Sequence, residues 1–358
     1  MSISANRALA NAASYHCGIK HSTSPSVSQP VIKRGYTADT AVQTSTSTKT
    51  PRKEVPPAEP WRRHASPDEH TPTVFTFFEK ATSTWQYIVV DPHTQEAVVI
   101  DPVLDFDPNS GNISTQTADG LLSFIDHNGL TVRRIMETHA HADHLTAAQY
   151  FKQQLGGDIP VCIGQRITQV QQTFAPVYGL DQPDAFDKTF DVYFKDDEEF
   201  KLGELSCRVI HLPGHTPDHV GYLIGKAVFT GDSIFNPDVG TARVDFPGGN
   251  AEHLYKSMQR LLSLPEDYRL FVGHDYPKNR DQTCWSTVTE QRVRNAHIKL
   301  GTDEAQFIEW RKSRDAVLGA PRLLHPSLQV NIRAGKLPPK DEKGRLFFKI
   351  PVKSEVDL

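Results

Sequence analysis

The segment ETHAHADH, at residues 137–144, constrains this chain more than any other feature, because it places three histidines and one aspartate within six positions. An apolar, β-branched run leads into it and predicts a strand that ends at the histidines. His139 and His141 are two residues apart, so in extended backbone their side chains point the same way. Asp143 and His144 follow where the chain is expected to turn into a helix. The fold must therefore place a dense polar cluster at the end of a strand.

Three later strand-like segments also lead into a histidine or an aspartate. The loop PGHTPDH contains His215, the turn FTGD ends in Asp232, and the segment VGHDY contains His274. Strand ends hold side chains rigidly, whereas the loops that follow leave them open to a ligand. We therefore expect these side chains to converge on one site.

The residue types of this set predict a metal centre. Imidazole nitrogens and carboxylate oxygens suit zinc, iron or manganese. The set contains no thiolate, which disfavours copper(I) and iron–sulfur clusters. Asp143 and His144 can face a second metal position about 3.5–4 Å from the first, as in two-metal hydrolases. The residues alone therefore leave the identity and the number of the metal ions open.

The later histidines outside this set are expected to be structural or exposed, although His219 can orient a metal ligand. These histidines are His211, His219, His253, His297 and His325. The four cysteines are scattered along the chain and form no CxxC pair. That spacing disfavours a disulfide scaffold or a thiolate zinc site and predicts free thiols.

The composition disfavours two classes of function. The formal net charge of −4 provides no basic excess, whereas nucleic-acid-binding proteins normally carry a basic face. No stretch of the sequence approaches the roughly 20 apolar residues that span a bilayer. We therefore expect a soluble protein that binds neither nucleic acid nor a membrane.

Residues 1–70 differ in composition from the rest of the chain, since they are rich in Ser, Thr, Ala and Pro and lack a strong apolar period. This composition predicts a disordered region and linker. Its beginning is basic and free of acidic residues, which is typical of a mitochondrial transit peptide. We expect the mitochondrial matrix, with the cytoplasm as the alternative. A reporter that carried the first 45 residues and stayed in the cytosol would contradict this. The cations before the first acidic residue are Arg7, Lys20, Lys33 and Arg34.

Residues 71–358 are predicted to form one catalytic domain with a C-terminal extension. Strands and helices alternate along this region, which predicts an α/β fold with two sheets, or one large mixed sheet, and helices outside. Helices are expected at residues 145–157, 284–299 and 303–318, followed by a closing extended segment from residue 329. The helices at 284–299 and 303–318 offer a surface on which a second copy of the chain could pack, so a homodimer is an expectation.

Several motifs together resemble the persulfide dioxygenase family (ethylmalonic encephalopathy protein-like) of the metallo-β-lactamase superfamily. They are METHAHADHLTAA, HLPGHTPDHVGY, GDSIF, GTARVDF and GHDYPKNR. The resemblance covers about residues 72–330. It implies the αββα sandwich, in which two mixed β-sheets are flanked by helices and the metal site lies at the edge between the sheets. It also implies one Fe(II) per subunit, bound by His139, His215 and Asp232.

The resemblance further implies an activity, which is the oxidation of glutathione persulfide with O₂ to sulfite and glutathione. Arg243 and Tyr276 match positions linked to glutathione binding, and the planar fork of Arg243 can clamp a carboxylate at two points. Four other residues match the zinc-binding positions of glyoxalase II and are expected to surround the iron as hydrogen-bonding groups or to bind a second metal. They are His141, Asp143, His144 and His274.

Two other functions remain open on the sequence alone. All the superfamily ligand types are present, so a dinuclear Zn(II) glutathione thioesterase of the glyoxalase II kind, with Asp232 shared by the two ions, is the main alternative. Metal stoichiometry and an assay of S-lactoylglutathione against persulfide distinguish the two enzymes. A non-catalytic interaction module would be expected to have lost ligands, and here none is missing.

Overall fold

The computed structural model describes residues 52–180, 182 and 185–356. The predicted transit peptide and Cys17 lie outside these residues. The other three cysteines are buried free thiols, as predicted, and burial raises the pKa of each thiol to about 12. No helix in the described part of the chain has the length and apolar character needed to cross a bilayer.

Strands and helices alternate through the described residues. The strands are β1 (Arg62–His64), β2 (Thr73–Glu79), β3 (Thr84–Val90), β4 (Glu96–Ile100), β5 (Val103–Asp107), β6 (Asn112–Ser114), β7 (Thr131–Met136), β8 (Leu145–Thr146), β9 (Val161–Gly164), β10 (Val192–Phe194), β11 (Glu199–Leu202), β12 (Leu205–His211), β13 (Val220–Ile224), β14 (Ala227–Phe229), β15 (Arg269–Phe271) and β16 (Trp285–Thr287). The helices are α1 (Gln116–His127), α2 (Ala148–Gln154), α3 (Ile167–Tyr178), α4 (Ala251–Leu262), α5 (Val288–Arg294), α6 (Glu304–Asp315) and α7 (Leu324–Asn331).

The strands form two large mixed sheets and one small one. The first sheet has the order β1-β2-β3-β4-β7-β9-β10, antiparallel from β1 to β4 and parallel from β4 to β10. The second has the order β11-β12-β13-β14-β15-β16, in which only the β14–β15 pair is parallel. Strands β6, β5 and β8 form the small third sheet.

Side-chain alternation explains why the first sheet is covered on both faces. Trp85, Tyr87 and Val89 of β3 point into the core between the two large sheets. Ile88 and Val90, one position on, point into a second core that includes residues of α1, α2, α3 and α7. Because successive strand side chains face opposite sides, an almost uninterrupted apolar strand must be buried on both.

The two large sheets pack face to face, with helices on their outer surfaces. The ring centroid of Tyr87 lies 5.1 Å from that of Phe229 in the second sheet. The outer face of the second sheet packs against α4, α5 and α6 through a third apolar cluster that includes Leu254, Val288 and Phe307. This arrangement of helices, sheet, sheet and helices confirms the predicted αββα sandwich.

The chain enters the first sheet earlier than the predicted boundary at residue 71. Strand β1 pairs with β2, with Arg62 opposite Thr76, and the ring of Trp61 packs edge-on against that of Trp85 at 5.1 Å. Part of the stretch interpreted as linker therefore belongs to the catalytic fold, because it covers an edge strand that would otherwise be open.

Three predicted elements differ from the structure. The helix expected at 145–157 begins only at Ala148, because β8 pairs with β5. The helix expected at 284–299 is reduced to α5, since the preceding residues pair with β15 as β16 and Thr287 then caps α5 through a capping box with Glu290. The closing segment is not extended throughout, because residues up to Asn331 form α7.

Helix α3 was not predicted, although its sequence carries the signal. Ile167, Val170, Phe174 and Tyr178 have helical spacing and are all buried. The helix ends at Gly179, whose φ of 65° is the left-handed conformation that favours glycine at helix ends.

Candidate metal centre

The predicted site residues meet at one edge of the sandwich, between the two sheets. The loop after β7 carries His139, His141, Asp143 and His144. The loops after β12, β14 and β15 in the second sheet carry, in that order, His215, Asp232 and His274. Strands from both sheets therefore end at this edge and deliver their polar residues to one place.

His139, His215 and Asp232 form the first group of donors. Each can offer one ligand atom, and these atoms all lie within 4.8 Å of one another. The Nε2 atom of His139 is buried and has no hydrogen-bond partner, and the buried Oδ1 atom of Asp232 has only the long ion-pair contact with His274 Nε2, at 3.4 Å. Buried polar atoms are rarely left unpaired unless a ligand or an ion satisfies them. The three residues therefore fit a bound metal ion, and two imidazoles with one carboxylate suit iron(II) or zinc.

A hydrogen-bond chain fixes the ring of His139 in the orientation that a ligand needs. The hydroxyl of Thr138 donates to Asp101 Oδ2 at 2.9 Å, so it accepts from Nδ1–H of His139 at 3.0 Å. The Nε2 lone pair of His139 is then free to face the site. Burial holds the pKa of His139 well below its usual range, so the ring stays neutral and able to bind a metal.

His215 is fixed in the same sense by the backbone. Its Nδ1–H donates to the carbonyl oxygen of Arg243 at 2.8 Å. Its Nε2 atom lies 3.9 Å from Oδ2 of Asp232. The ring therefore presents its second nitrogen to the carboxylate that completes the group.

Asp232 is held through its backbone by His219, which is fully buried. The amide N–H of Asp232 donates to Nε2 of His219 at 2.9 Å, so Nδ1 of His219 carries the proton and donates to the hydroxyl of Ser233 at 3.2 Å. Burial and the neighbouring His215 lower the pKa of His219 to about 3, which keeps the ring neutral and able to accept. The structure thus gives His219 an orienting position next to a predicted ligand.

His141, Asp143 and His144 form a second group of donors, also within 4.8 Å of one another. His274 joins them, because its Nε2 atom lies 3.2 Å from Asp143 Oδ2 and 3.4 Å from Asp232 Oδ1. Burial opposes a charge on His274, but the carboxylates of Asp232 and Asp143 prevail and raise its pKa to about 9. All seven predicted positions are therefore brought together, and the geometry has room for one ion or for two.

Two buried carboxylates also contact the ring of His141. Its Nε2 atom lies 3.1 Å from Asp101 Oδ1 and 3.3 Å from Glu137 Oε2. Its Nδ1 atom is buried and unpartnered. The carboxylates face Nε2, so Nδ1 is the nitrogen of His141 that remains for a metal or a substrate.

Two glycines allow the loops to approach this closely. Gly231 has a φ of 47°, and a Cβ at that position would lie 2.6 Å from Thr138 Oγ1 and 2.8 Å from His219 Nε2. A Cβ at Gly273 would lie 2.5 Å from Asp232 Oδ1. A side chain at either position would therefore displace residues that hold the site.

A cavity of about 920 Å³ opens onto the centre. Asp143, His215 and Asp232 line its metal end, and Arg243 and Tyr276 line its wall. The ring of Tyr276 is half exposed and stacks on that of His274, with centroids 5.8 Å apart. The residues predicted to contact a metal and those predicted to contact a substrate therefore share one space.

Arg243 is already engaged within the protein. Its Nε and Nη2 atoms donate to the two carboxylate oxygens of Asp245, and Nη2 also donates to the carbonyl oxygen of Gly319 at 2.9 Å. Asp245 thus occupies the two-point geometry that the sequence predicted for a substrate carboxylate. Only Nη1 of Arg243 is left for a ligand.

Other cations in the cavity wall were not predicted from the sequence. Arg280 pairs with Asp275 and Asp238, and Arg311 pairs with Asp315. Two more, Lys278 and Arg314, have no carboxylate partner among the residues that the structure describes. Lys278 belongs to the motif GHDYPKNR, whose place after a site strand was the available signal. Arg314 lies on α6, and nothing local in the sequence shows that this helix faces the site.

His297 also lines the cavity, and its contacts are those of the structural position that the sequence favoured. Its Nδ1 atom accepts from the amide of Thr241 at 2.9 Å, and its ring packs on Trp310 with centroids 4.2 Å apart. Burial and the nearby Arg311 and Arg314 lower its pKa to about 4. A neutral ring whose Nδ1 accepts must carry its proton on Nε2.

Comparison with known proteins gives a consistent set of similarities. The profile of the metallo-beta-lactamase superfamily matches residues 80–274. Glyoxylase B2 of Dictyostelium discoideum is 46% identical over 279 residues, which cover 77% of this chain and 95% of that protein. The beta-lactamase hydrolase-like protein of Xylella fastidiosa is 45% identical over 283 residues, which cover 79% of this chain but 65% of that protein. This chain therefore spans less than two thirds of the length of the Xylella protein.

Two further similarities concern proteins named ETHE1. The mitochondrial persulfide dioxygenase ETHE1 of Homo sapiens is 27% identical over 261 residues, which cover 72% of this chain and 87% of that protein. The crystal structure of ETHE1 from Myxococcus xanthus has a TM-score of 0.59 and 28% identity, and the match covers 74% of this chain and 99% of that one.

Proposed function

The chain belongs to the metallo-β-lactamase superfamily, and on that basis we propose that it is a persulfide dioxygenase with one ferrous ion per subunit. The proposed reaction is the oxidation of glutathione persulfide by O₂ to sulfite and glutathione. The observation that carries the proposal is the group formed by His139, His215 and Asp232, whose free donor atoms converge within 4.8 Å. The similarity to the persulfide dioxygenase ETHE1 supports this choice within the superfamily.

The donor set accounts for the choice of metal. His139, His215 and Asp232 would hold iron(II), which would activate O₂ for reaction with the persulfide, a task that side chains alone cannot perform. The protein contributes orientation, because Thr138, His219 and the Arg243 carbonyl fix the three ligands before anything binds. Bringing both substrates to one rigid site makes their encounter effectively intramolecular.

The overall reaction balances without a further oxidant. The terminal sulfur of the persulfide loses four electrons to O₂ and its bond to the glutathione sulfur is broken. O₂ provides two of the sulfite oxygens and water provides the third. The glutathione sulfur leaves as the thiol, and two protons are released.

The cavity wall supports a peptide thiol that carries carboxylates. Lys278 and Arg314 are the cavity cations without a carboxylate partner in the described part of the chain, and glutathione has two carboxylates. Tyr276 offers its hydroxyl near the metal end, and Arg243 offers Nη1. A cavity of about 920 Å³ lies within the roughly 300–1,000 Å³ range of small-molecule sites.

A dinuclear zinc thioesterase is the second candidate. The observation that favours it is the second donor group, His141, Asp143 and His144, which is complete and lies beside the first. The names of relatives such as the beta-lactamase hydrolase-like protein and glyoxylase B2 also favour it. In that enzyme Asp232 would serve both ions, and a metal-activated water would attack a thioester of glutathione.

The test of the proposal is metal analysis of anaerobically purified protein, together with O₂ consumption and sulfite production from glutathione persulfide. We expect about one iron per chain, and His215→Ala and Asp232→Ala should lose iron and activity together. His253→Ala, at an exposed position on α4, serves as the control and should retain both. Two zinc ions per chain, rapid cleavage of S-lactoylglutathione and no O₂ consumption would establish the thioesterase instead.

A further inference from the structure

A buried amide on the last helix contacts the loop that carries most of the metal donors. Asn331, at the end of α7, is only 3% exposed. Its Nδ2 atom donates to the carbonyl oxygens of His141 and His144, each at 2.7 Å. Its Oδ1 atom accepts from the amide of Thr146 at 2.9 Å. One side chain therefore fixes three peptide groups of this loop.

These hydrogen bonds determine how the loop is folded. His141 and His144 bracket Asp143, and the loop between β7 and β8 has no regular structure that could pair its own carbonyls. Both carbonyl groups belong to buried residues, where an unpaired polar atom is unfavourable. Fixing the two carbonyls fixes the peptide planes on which the second donor group stands.

Helix α7 is itself held firmly enough to serve as an anchor. The side chain of Gln171 on α3 donates to the carbonyl oxygen of Ile332 at 2.9 Å. Leu328, Val330 and Ile332 are fully buried in the core beneath the first sheet. The position of Asn331 therefore depends on packing that is independent of the metal loop.

We propose that Asn331 is a positioning residue of the metal centre, which it completes from the C-terminal part of the chain by orienting the loop with His139, His141, Asp143 and His144. This role goes beyond the proposed function, because it concerns the metal donors whether the loaded enzyme is an iron dioxygenase or a zinc hydrolase. It also assigns a role to α7 that no local motif indicates.

A neighbouring residue provides a closely matched control. Gln329 lies on the same helix and is also 3% exposed. Its side chain likewise makes three hydrogen bonds, donating to the carbonyls of His325 and Lys349 at 2.8 and 2.9 Å and accepting from the Lys349 amide at 2.9 Å. These bonds hold the C-terminal segment and do not touch the metal loop. Replacing either amide removes the same number of bonds from the same helix.

The experiment is titration of the metal-free full-length protein with Co²⁺, followed by the visible absorption of the bound ion. Asn331→Leu should weaken Co²⁺ binding by about 10–100-fold, the range found when a residue that orients a ligand is lost, and should alter the spectrum. Gln329→Met should bind Co²⁺ like the wild type, although both variants should show a similar fall in melting temperature. Because the readout is metal binding, it does not depend on which reaction the enzyme performs.

Two results would overturn the proposal. One is wild-type affinity and an unchanged spectrum in Asn331→Leu. The other is an equal loss of affinity in Gln329→Met, which would show a general effect of weakening α7. If Asn331→Leu does not fold, Asn331→Asp replaces it, because it keeps the volume and the acceptor for Thr146 but removes both donors to the loop; the same expected and contrary results apply.

Discussion

Asp101 shows at the scale of a single residue how the centre is organised. Its backbone has a φ of 50°, in the left-handed region that aspartate tolerates better than most residues. Its carboxylate accepts from the amide and the hydroxyl of Thr138, at 2.8 and 2.9 Å, and lies 3.1 Å from Nε2 of His141. Burial opposes its charge, but the nearby His141 and these hydrogen bonds lower the pKa of Asp101. One buried carboxylate thus orients two neighbouring histidines.

We predict that Asp101→Asn lowers metal affinity by about 10–100-fold, because an amide nitrogen in place of Oδ2 cannot accept from the Thr138 hydroxyl, so the tautomer of His139 is no longer fixed. The measurement is metal content after dialysis against a weak chelator. Asp91→Asn is the control, since Asp91 is equally buried and accepts from Thr94, His93 and Glu204 outside the site. Equal metal loss in both variants would contradict the prediction.

The residues that could be predicted are those whose chemistry is visible in the sequence. The seven histidines and aspartates at strand ends were identified because their types and spacing are specific. Asp101 was not, since it lies 37 residues from Thr138 in sequence and an aspartate after a strand is common. The engagement of Arg243 by Asp245 was not predicted either, because sequence does not show whether a charged side chain is already paired.

The turn after β14 illustrates the scale of elements. The strand ends at Phe229, and Gly231 then reverses the chain so that Asp232 enters the site. The backbone of this turn passes directly against Thr138 and His219, which orient the metal donors His139 and Asp232. The geometry of the turn and that of the centre are therefore coupled.

We predict that Gly231→Ala strongly reduces metal binding, because its Cβ would displace Thr138 and His219 in addition to the strain of a positive φ. Gly111→Ala is the matched control, with a φ of 71° and nothing within 4 Å of its Cβ; it should show only the roughly 1–2 kcal/mol cost of the left-handed conformation. Metal content and thermal unfolding of both variants test this. A Gly231→Ala protein with full metal content would disprove it.

Elements were predictable where no distant partner changes the local conformation, as in β7, the strand expected to lead into the histidines, and α6, within the helix expected at 303–318. Local pattern was insufficient where partners decide the conformation. Residues 145–146 read as the start of a helix but pair with β5, and residues 285–287 pair with β15. In both cases a tertiary hydrogen-bonding partner overrides the helical pattern of the sequence.

At the scale of the whole molecule, the stability of the αββα sandwich depends on a neutral buried histidine as well as on its apolar layers. His64 on β1 is 7% exposed, and its ring packs edge-on against Phe271 and Trp285. Burial, aided by the charges of Arg62 and Arg269, lowers its pKa from 6.5 to about 4. Below about pH 6.5, His64 is therefore protonated in the unfolded chain but not in the native protein. The free energy of unfolding falls as the pH decreases towards 4.

We predict that His64→Phe, which keeps an aromatic ring in this position, reduces the acid sensitivity of the protein. Between about pH 7.5 and about pH 4.5 the wild type should lose roughly 2.5 kcal/mol more than the variant in free energy of unfolding. Denaturant titrations at the two pH values measure the difference. His93→Phe, at an exposed position, should behave like the wild type, and an identical pH dependence in His64→Phe would exclude the mechanism.

At this scale the αββα sandwich could be predicted in outline, because strands that are apolar on both faces require two covering layers and the motif resemblance specified the rest. The role of the C-terminal region could not. Neither the use of α6 as a cavity wall nor the reach of Asn331 to the histidine loop leaves a local pattern, since each contact joins residues far apart in sequence.

The donors of the centre come from four loops in two different sheets, and this has a consequence for how the protein matures. Synthesis proceeds from the N-terminus, so the chain exposes His139 and His141 well before Asp232 and His274 have been made. No short nascent segment contains the whole group of His139, His215 and Asp232. An ion held by that group would therefore enter only after both sheets have closed on each other, which would make cofactor loading a late event in the maturation of the polypeptide.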